Sequence, residues 1–247
     1  VCQTCAMYPG ACPVAVLTYS STHLLHAPPT PPTFMGAMRQ VDIRLLGQIE
    51  YASVDKLMRE LQSQRMNDNL GDTLLVCSHP EIVTIGPSAR RDGVVVPSDY
   101  PTTNVDRGGG ITWHGPGQVV FYPIFKWDYD DERNVKSITS KIENWMINAL
   151  SLIGIQGKTD DRMQGVWVDD HKIASIGLAF LRWTSRHGFT LNFATPRGRV
   201  EILNGCGLEA GTTTSLDRLG YDVQPDDLVN ALLQTMPESV ERIDAKS

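Results

Sequence analysis

Arg107-Gly108-Gly109-Gly110-Ile111-Thr112-Trp113-His114-Gly115-Pro116-Gly117-Gln118 runs directly into the apolar stretch Val119-Val120-Phe121-Tyr122-Pro123-Ile124. Five glycines and a proline in twelve residues is a costly composition, because glycine gives up more backbone freedom on folding than any other residue. Chains carry that cost where the backbone must take positive φ or where something must come close to it. Between the glycines sit a cation (Arg107), a hydroxyl (Thr112), an aromatic ring (Trp113) and an imidazole (His114). The run after them is β-branched and aromatic, as a buried strand is. The stretch is therefore read as a ligand-lining loop feeding a core strand, in preference to a tight hairpin with a polar loop.

Upstream, Val41-Asp42-Ile43-Arg44-Leu45 alternates like a half-buried strand. Tyr51, Val54, Leu57, Met58 and Leu61 recur at helical spacing, with Gly71 as a stop. Thr73 to Cys77 and Ile82 to Ile85 read as strands, the second ended by Gly86-Pro87, and Arg90 to Gly93 reads as a charged turn. Downstream, Val135 to Ile153 carries the period of an amphipathic helix closed by Gly154. Val166-Trp167-Val168 and Lys172 to Phe180 form a hairpin about Asp169-Asp170, and His187 to Phe193 a further strand after an Arg182-to-Arg186 turn. A short helical turn at Ser215 to Leu219 precedes a last helix from Pro225. Strands in clusters with helices between them indicate an α/β fold, a mixed sheet flanked by helices.

The chain has 247 residues, enough for a large core, a net charge of −6 and a pI near 5.5, which argues against nucleic acid as a partner. No apolar run approaches membrane-spanning length, so no membrane association is expected. The cysteines, Cys2, Cys5, Cys12, Cys77 and Cys206, form no disulfide framework, which suits a cytoplasmic protein. Residues 1–38 are proline-rich at Pro28 to Pro32 and lack Lys and Arg; they read as a flexible leader before a single catalytic domain at 39–247. Cys2-Gln3-Thr4-Cys5 is half of a zinc pattern without a second half, so no metal is expected.

Two residues in the second half carry reactive groups. Lys172 begins a strand among Ile173, Ala174 and Ile176, where lost hydration favours the neutral amine. Cys206 lies in Asn204-Gly205-Cys206-Gly207, where flanking glycines bare N–H groups beside the sulfur. Each alone more often belongs to ordinary structure, Cys206 as a small buried hydrophobe and Lys172 as a solvated strand end.

Taken in order, Arg107 to Gln118, Lys172-Ile-Ala-Ser-Ile-Gly177, His187-Gly-Phe-Thr-Leu-Asn192, Cys206-Gly207 and Thr214-Ser215-Leu216 resemble the octanoyl transferases of lipoate biosynthesis, the lipoyl/octanoyl transferase family. The resemblance covers roughly residues 39–235 and implies the α/β fold of lipoate and biotin protein ligase catalytic domains. It implies Cys206 as carrier of an acyl thioester and Lys172 as the group acting on the thiol and the incoming amine. Arg107, Gly108, Gly109, Gly110, Ile111, Thr112, Trp113 and His114, with Ser175, Ile176, Gly177, Gly188, Phe189 and Thr190, would line the acyl pocket. Gly205 stands where the family usually has proline, and Thr190 where alanine is common; neither change removes a reacting group.

The implied donor is octanoyl-acyl carrier protein, and the implied acceptors are lipoyl domains of 2-oxoacid dehydrogenase complexes and the glycine cleavage H protein, with no cofactor. Such partners are acidic as classes. Arg182, Arg186, Arg197 and Arg199, which bracket the His187 strand, are therefore expected as a basic rim, with an ordinary solvated surface as the alternative. An ATP-dependent lipoate or biotin ligase, or a non-catalytic acyl-binding module, remain alternatives on the same scaffold.

Overall fold

The computed structural model describes residues 39–203, 210–237 and 240–243. In chain order the elements are β1 (Arg39–Gln48), α1 (Tyr51–Met66), β2 (Asp72–Ser78), β3 (Ile82–Ile85), α2 (Pro87–Arg91), β4 (Thr102–Asn104), β5 (Ile111–His114), β6 (Gln118–Ile124), α3 (Val135–Leu152), β7 (Val166–Val168), β8 (His171–Leu181), β9 (Thr184–Asn192), α4 (Pro225–Gln234) and β10 (Val240–Ile243). Seven strands make a mixed sheet in the order β10-β1-β2-β6-β9-β8-β7, and β4-β3-β5 make a small second sheet. In the large sheet β1 runs parallel to both of its neighbours, β10 and β2; from β2 across to β7 every pairing is antiparallel.

The large sheet is covered on both faces, which is why β2 and β6 read as unbroken apolar runs. Leu74, Val76, Val119, Phe121, Phe189 and Leu191 pack with Ile138, Ile142, Trp145 and Met146 of α3 and Leu228 and Leu232 of α4. The alternate residues Leu75, Cys77, Val120, Tyr122 and Ile124 pack on Val54, Met58 and Leu61 of α1. Asn134 caps α3 through its side chain, which accepts from Ser137 N–H at 2.8 Å. Trp145 Nε1 donates to Leu232 O at 2.6 Å and ties α3 to α4. No helix of the described residues is long and apolar enough to cross a membrane.

The expected mixed α/β architecture is present, with four local differences. Residues 111–114 are not loop: they form β5, antiparallel to β3 with Thr84 opposite Thr112. The turn at Gly115 to Gly117 then carries the chain from the small sheet to the large one. At Gly117 φ is +79°, and a Cβ would lie 1.9 Å from Ala194 O, so only glycine fits. Helix α1 stops at Met66, well before Gly71, because Asp68 takes a left-handed φ of 54° and its N–H bonds Arg65 O. The β8–β9 turn is two residues, not five: Arg182 and Trp183 have φ of 48° and 60°, the backbone of a tight hairpin, and pairing resumes at Thr184. The Arg90 to Gly93 turn begins inside α2, whose φ is preset by Pro87.

Candidate active site

Two cavities adjoin where β5, β8 and β9 meet. The first is lined by Tyr51, Arg107, Thr112, His114, Tyr122, Ser175, Ile176, Gly177, His187, Gly188, Phe189 and Thr190. The second is lined by Ile111, Thr112, Trp113, Gln118, Met163, Lys172, Ser175, Thr190, Asn192, Val200, Leu203 and Thr213. Thr112, Ser175 and Thr190 belong to both linings and form the waist between them. Ser175 and Thr190 are direct cross-strand partners. Empty volume, open to solvent, is about 300 Å³ in the first chamber and about 490 Å³ in the second.

Most residues expected from the sequence converge here. Gly108, Gly109 and Gly110 line neither chamber; they brace the wall. Arg107, buried, donates from Nη1 to the carbonyls of Gly108 (3.0 Å) and Gly110 (3.2 Å), and from Nη2 to Thr84 O (3.1 Å) and Oγ1 (2.8 Å). Its guanidinium thereby staples the glycine loop to β3. The loop also reaches β8, where Gly108 N–H donates to Leu178 O at 2.9 Å.

Lys172 is 5% exposed, and its Nζ donates to Met163 Sδ at 3.1 Å. Its backbone is held on both sides: its N–H donates to Thr212 O, and its carbonyl accepts from Thr214 N–H. Cys206, the expected thioester carrier, lies outside the described residues, as do Gly205 and Gly207. Cys77 is a free cysteine buried under α1; burial pushes its thiol up to about 12, which leaves almost no thiolate at neutral pH.

A hydrogen-bonded chain runs behind the second chamber. His114 Nδ1 pairs with Gln118 Oε1 (2.9 Å), Gln118 Nε2 donates to Asn192 Oδ1 (2.8 Å), and Asn192 Nδ2 donates to Thr214 O (3.0 Å). With Nδ1 as donor to the amide oxygen, His114 is the Nδ1–H tautomer. Burial, then His79 and Arg107, hold its pKa well below the ordinary value. A second chain leads from the first chamber to the surface: Tyr51 OH to His187 Nδ1 (3.3 Å), His187 Nε2 to Asp106 Oδ1 (3.0 Å), and Arg186 bidentate on Asp106 (2.8 and 2.7 Å). Burial lowers His187 to about 4, outweighing the Asp106 carboxylate, and Arg186 holds Asp106 below the usual carboxylate range.

Tyr51, Tyr122, His187, Gln118, Met163 and Asn192 are lining residues that the sequence reading did not single out as pocket residues. Tyr51 and Tyr122 sit in apolar-periodic elements and read as core; the signal for His187 and Asn192 is that they flank Gly188 to Thr190. The expected basic rim is reduced. Arg186 is buried on Asp106, and Arg199 pairs with Glu81 and Asp99 while stacking 3.7 Å from the Tyr100 ring centroid. Arg182 and Arg197 are the exposed members. Among the described residues no cluster of three or more His, Cys, Asp or Glu could hold a metal ion, and the Cys2/Cys5 pair lies outside them.

Residues 50–237 match the family model of the lipoyl protein ligase A/B catalytic domain. The octanoyltransferase of Syntrophobacter fumaroxidans is 35% identical over 193 residues, spanning 75% of this chain and 84% of that protein. The octanoyltransferase of Solibacter usitatus is 34% identical over 200 residues, spanning 77% and 89%. In solved structures the fold is shared with lipoate-protein ligase A bound with ATP (TM-score 0.60, 12% identity, 84% of this chain and 88% of that one). It is shared too with the biotin protein ligase of Aquifex aeolicus in complex with biotin and ATP (TM-score 0.53, 15% identity, 80% and 69%). At those identities the solved structures speak for fold alone, whereas the sequence relatives speak for family: the chain belongs to the octanoyltransferases, transferase enzymes built on the lipoyl protein ligase A/B catalytic domain.

Proposed function

We propose that the protein transfers an octanoyl group from the phosphopantetheine thioester of an acyl carrier protein to a lysine amine on a lipoyl domain, by way of a thioester on Cys206. The acceptors would be the lipoyl domains of 2-oxoacid dehydrogenase complexes and the glycine cleavage H protein. The observation that carries this reading is the pair of adjoining chambers that share Thr112, Ser175 and Thr190, with buried Lys172 in one and the side-chain-free pair Gly177 and Gly188 in the other. An acyl chain threaded through the waist has its carbonyl near Lys172 and its tail against the glycines. The hydroxyls of Thr112, Ser175 and Thr190 then offer hydrogen bonds to the chain's one polar atom.

Chemically, neutral Lys172 takes the proton of the Cys206 thiol, and the thiolate attacks the acyl carbonyl. The carrier thiolate leaves and is protonated from Lys172. Exchange of one thioester for another is nearly balanced and needs no ATP. The acceptor amine then attacks the Cys206 thioester, Lys172 receives a proton from it, and the sulfur departs as the amide forms. Thioester to amide is downhill, so the second step drives the sequence. One nucleophile serving two protein substrates in turn is ping-pong logic. A free thiol in this role requires a reducing compartment such as the cytoplasm.

Intact-mass analysis after incubation with octanoyl-acyl carrier protein, without ATP, tests the reading. Wild type should gain one octanoyl group, mapped to Cys206, and C206S none. An adduct on Cys77, transfer by C206S, or a requirement for ATP would overturn it.

A further inference from the structure

The turn between Asp160 and Gly165 is shaped around the Lys172 side chain. Gly165 has a φ of +131°, and a Cβ there would lie 2.7 Å from Lys172 Cε and 2.2 Å from Ala174 O, so the lysine stem runs against bare backbone. That backbone is fixed from the other side, where Gly165 N–H donates to the buried carboxylate of Glu143 at 3.0 Å. The same turn delivers Met163 to the tip of the lysine, with Sδ 3.1 Å from Nζ. Met163 is itself pinned: its carbonyl accepts from Trp167 Nε1 at 3.0 Å, and its N–H bonds Asp160 O at 3.3 Å. Arg162, paired with Asp160, lies 4.2 Å over the Trp167 ring and closes the turn.

We propose that Met163 is a positioning residue for Lys172: its thioether takes one N–H of the amine and so aims the nitrogen into the chamber that Lys172 and Met163 both line. A thioether is a weak, uncharged acceptor. It orients the amine without supplying the negative charge by which a carboxylate would hold it as ammonium. The inference rests on Lys172 as the proton carrier proposed above.

The test compares wild type with Met163→Leu, which keeps the apolar bulk and loses the acceptor, and Met163→Gln, which restores an acceptor at similar reach. Two measurements are made: turnover with a small octanoyl thioester, and acetylation of the Lys172 amine by acetic anhydride, mapped by mass. Loss of one net hydrogen bond predicts that Met163→Leu lowers kcat by about three- to tenfold with KM little changed. It also predicts faster acetylation of Lys172 in Met163→Leu, with both effects partly reversed in Met163→Gln. Unchanged kcat and acetylation in Met163→Leu would overturn the proposal. So would equal losses in both variants together with a lowered melting temperature, which would assign Met163 to packing. If wild type accepts no octanoyl group at all, the transfer reaction falls; the acetylation comparison still decides whether Met163 holds Lys172.

Discussion

Gly177 and Gly188 face each other across β8 and β9, and neither position has room for a methyl group. A Cβ on Gly188 would lie 2.0 Å from Phe121 O, the backbone of the adjoining strand β6. One on Gly177 would lie 2.7 Å from Arg107 Cδ, a side-chain rather than a backbone atom, and 3.2 Å from Gly108 O. The two alanine variants should therefore fail differently. Gly188→Ala must part β9 from β6 and should cost about 3 kcal/mol in a urea titration. Gly177→Ala should cost about 1 kcal/mol and act mainly by displacing Arg107, raising KM for the acyl substrate. Equal stability losses would contradict the asymmetry of the contacts.

Acid stability should report His187. The unfolded chain binds this proton near 6.5, whereas the folded protein takes it up only near about 4. Between those values the unfolded state holds more protons, so stability is whole above pH 6.5 and declines as pH falls towards 4. His114, also depressed by burial, acts in the same direction. The His187 share is at most about 3 kcal/mol. Asparagine tolerates the left-handed backbone that His187 adopts, with φ of 60°. His187→Asn should accordingly flatten the decline of melting temperature between pH 6.5 and 4; an unaltered slope would refute the assignment.

Asn192 joins the Gln118 side chain to the Thr214 carbonyl, and Thr214 N–H in turn binds the carbonyl of Lys172. Removing it strips the buried Thr214 carbonyl of its side-chain donor and leaves Gln118 Nε2 only its bond to Trp113 O at 2.9 Å. Asn192→Ala should destabilise the protein by about 2–4 kcal/mol. Because Gln118 bonds to it directly, Gln118→Ala and Asn192→Ala should be non-additive by at least about 0.5 kcal/mol in a double-mutant cycle. Strict additivity would mean that the chain does not act as a unit.

Partner docking should depend on Arg182 and Arg197, which are exposed, rather than on Arg186, which is buried on Asp106. Replacing the exposed pair by Glu should slow association with acidic carrier domains and weaken its salt dependence, each charge contributing about 0–1 kcal/mol. Turnover of a small octanoyl thioester should not change. Arg186→Glu, which sets a second carboxylate against Asp106, should instead lower the melting temperature. If the exposed pair slows the small thioester equally, the docking role is wrong.

How much of this was legible in the chain depends on the range of the interaction responsible. Helix α3 and strands β2 and β6 could be read because their burial imposes a period, or an unbroken apolar run, on the sequence itself. The short strand β5 was misread as loop, since its residues 111–114 become a strand only by pairing with β3, across the long intervening segment. The two-residue turn at Arg182-Trp183 was missed for a related reason. Neither residue is of the usual left-handed type, and the hairpin register rather than local preference sets their φ.

At the site the division is sharper. The sequence by itself determined which chemistry is available: a lysine among apolar neighbours, a cysteine between glycines and a glycine-rich stretch with polar rings, in an order shared with one enzyme family. Only the tertiary structure decided that Arg107 spends its guanidinium on backbone carbonyls and that Arg186 is no rim charge. Likewise, only the tertiary structure brings Met163 to the tip of Lys172. Those outcomes are set by contacts between residues far apart or on facing elements. A side chain's own identity fixes what it can donate or accept, but not what the fold places in front of it.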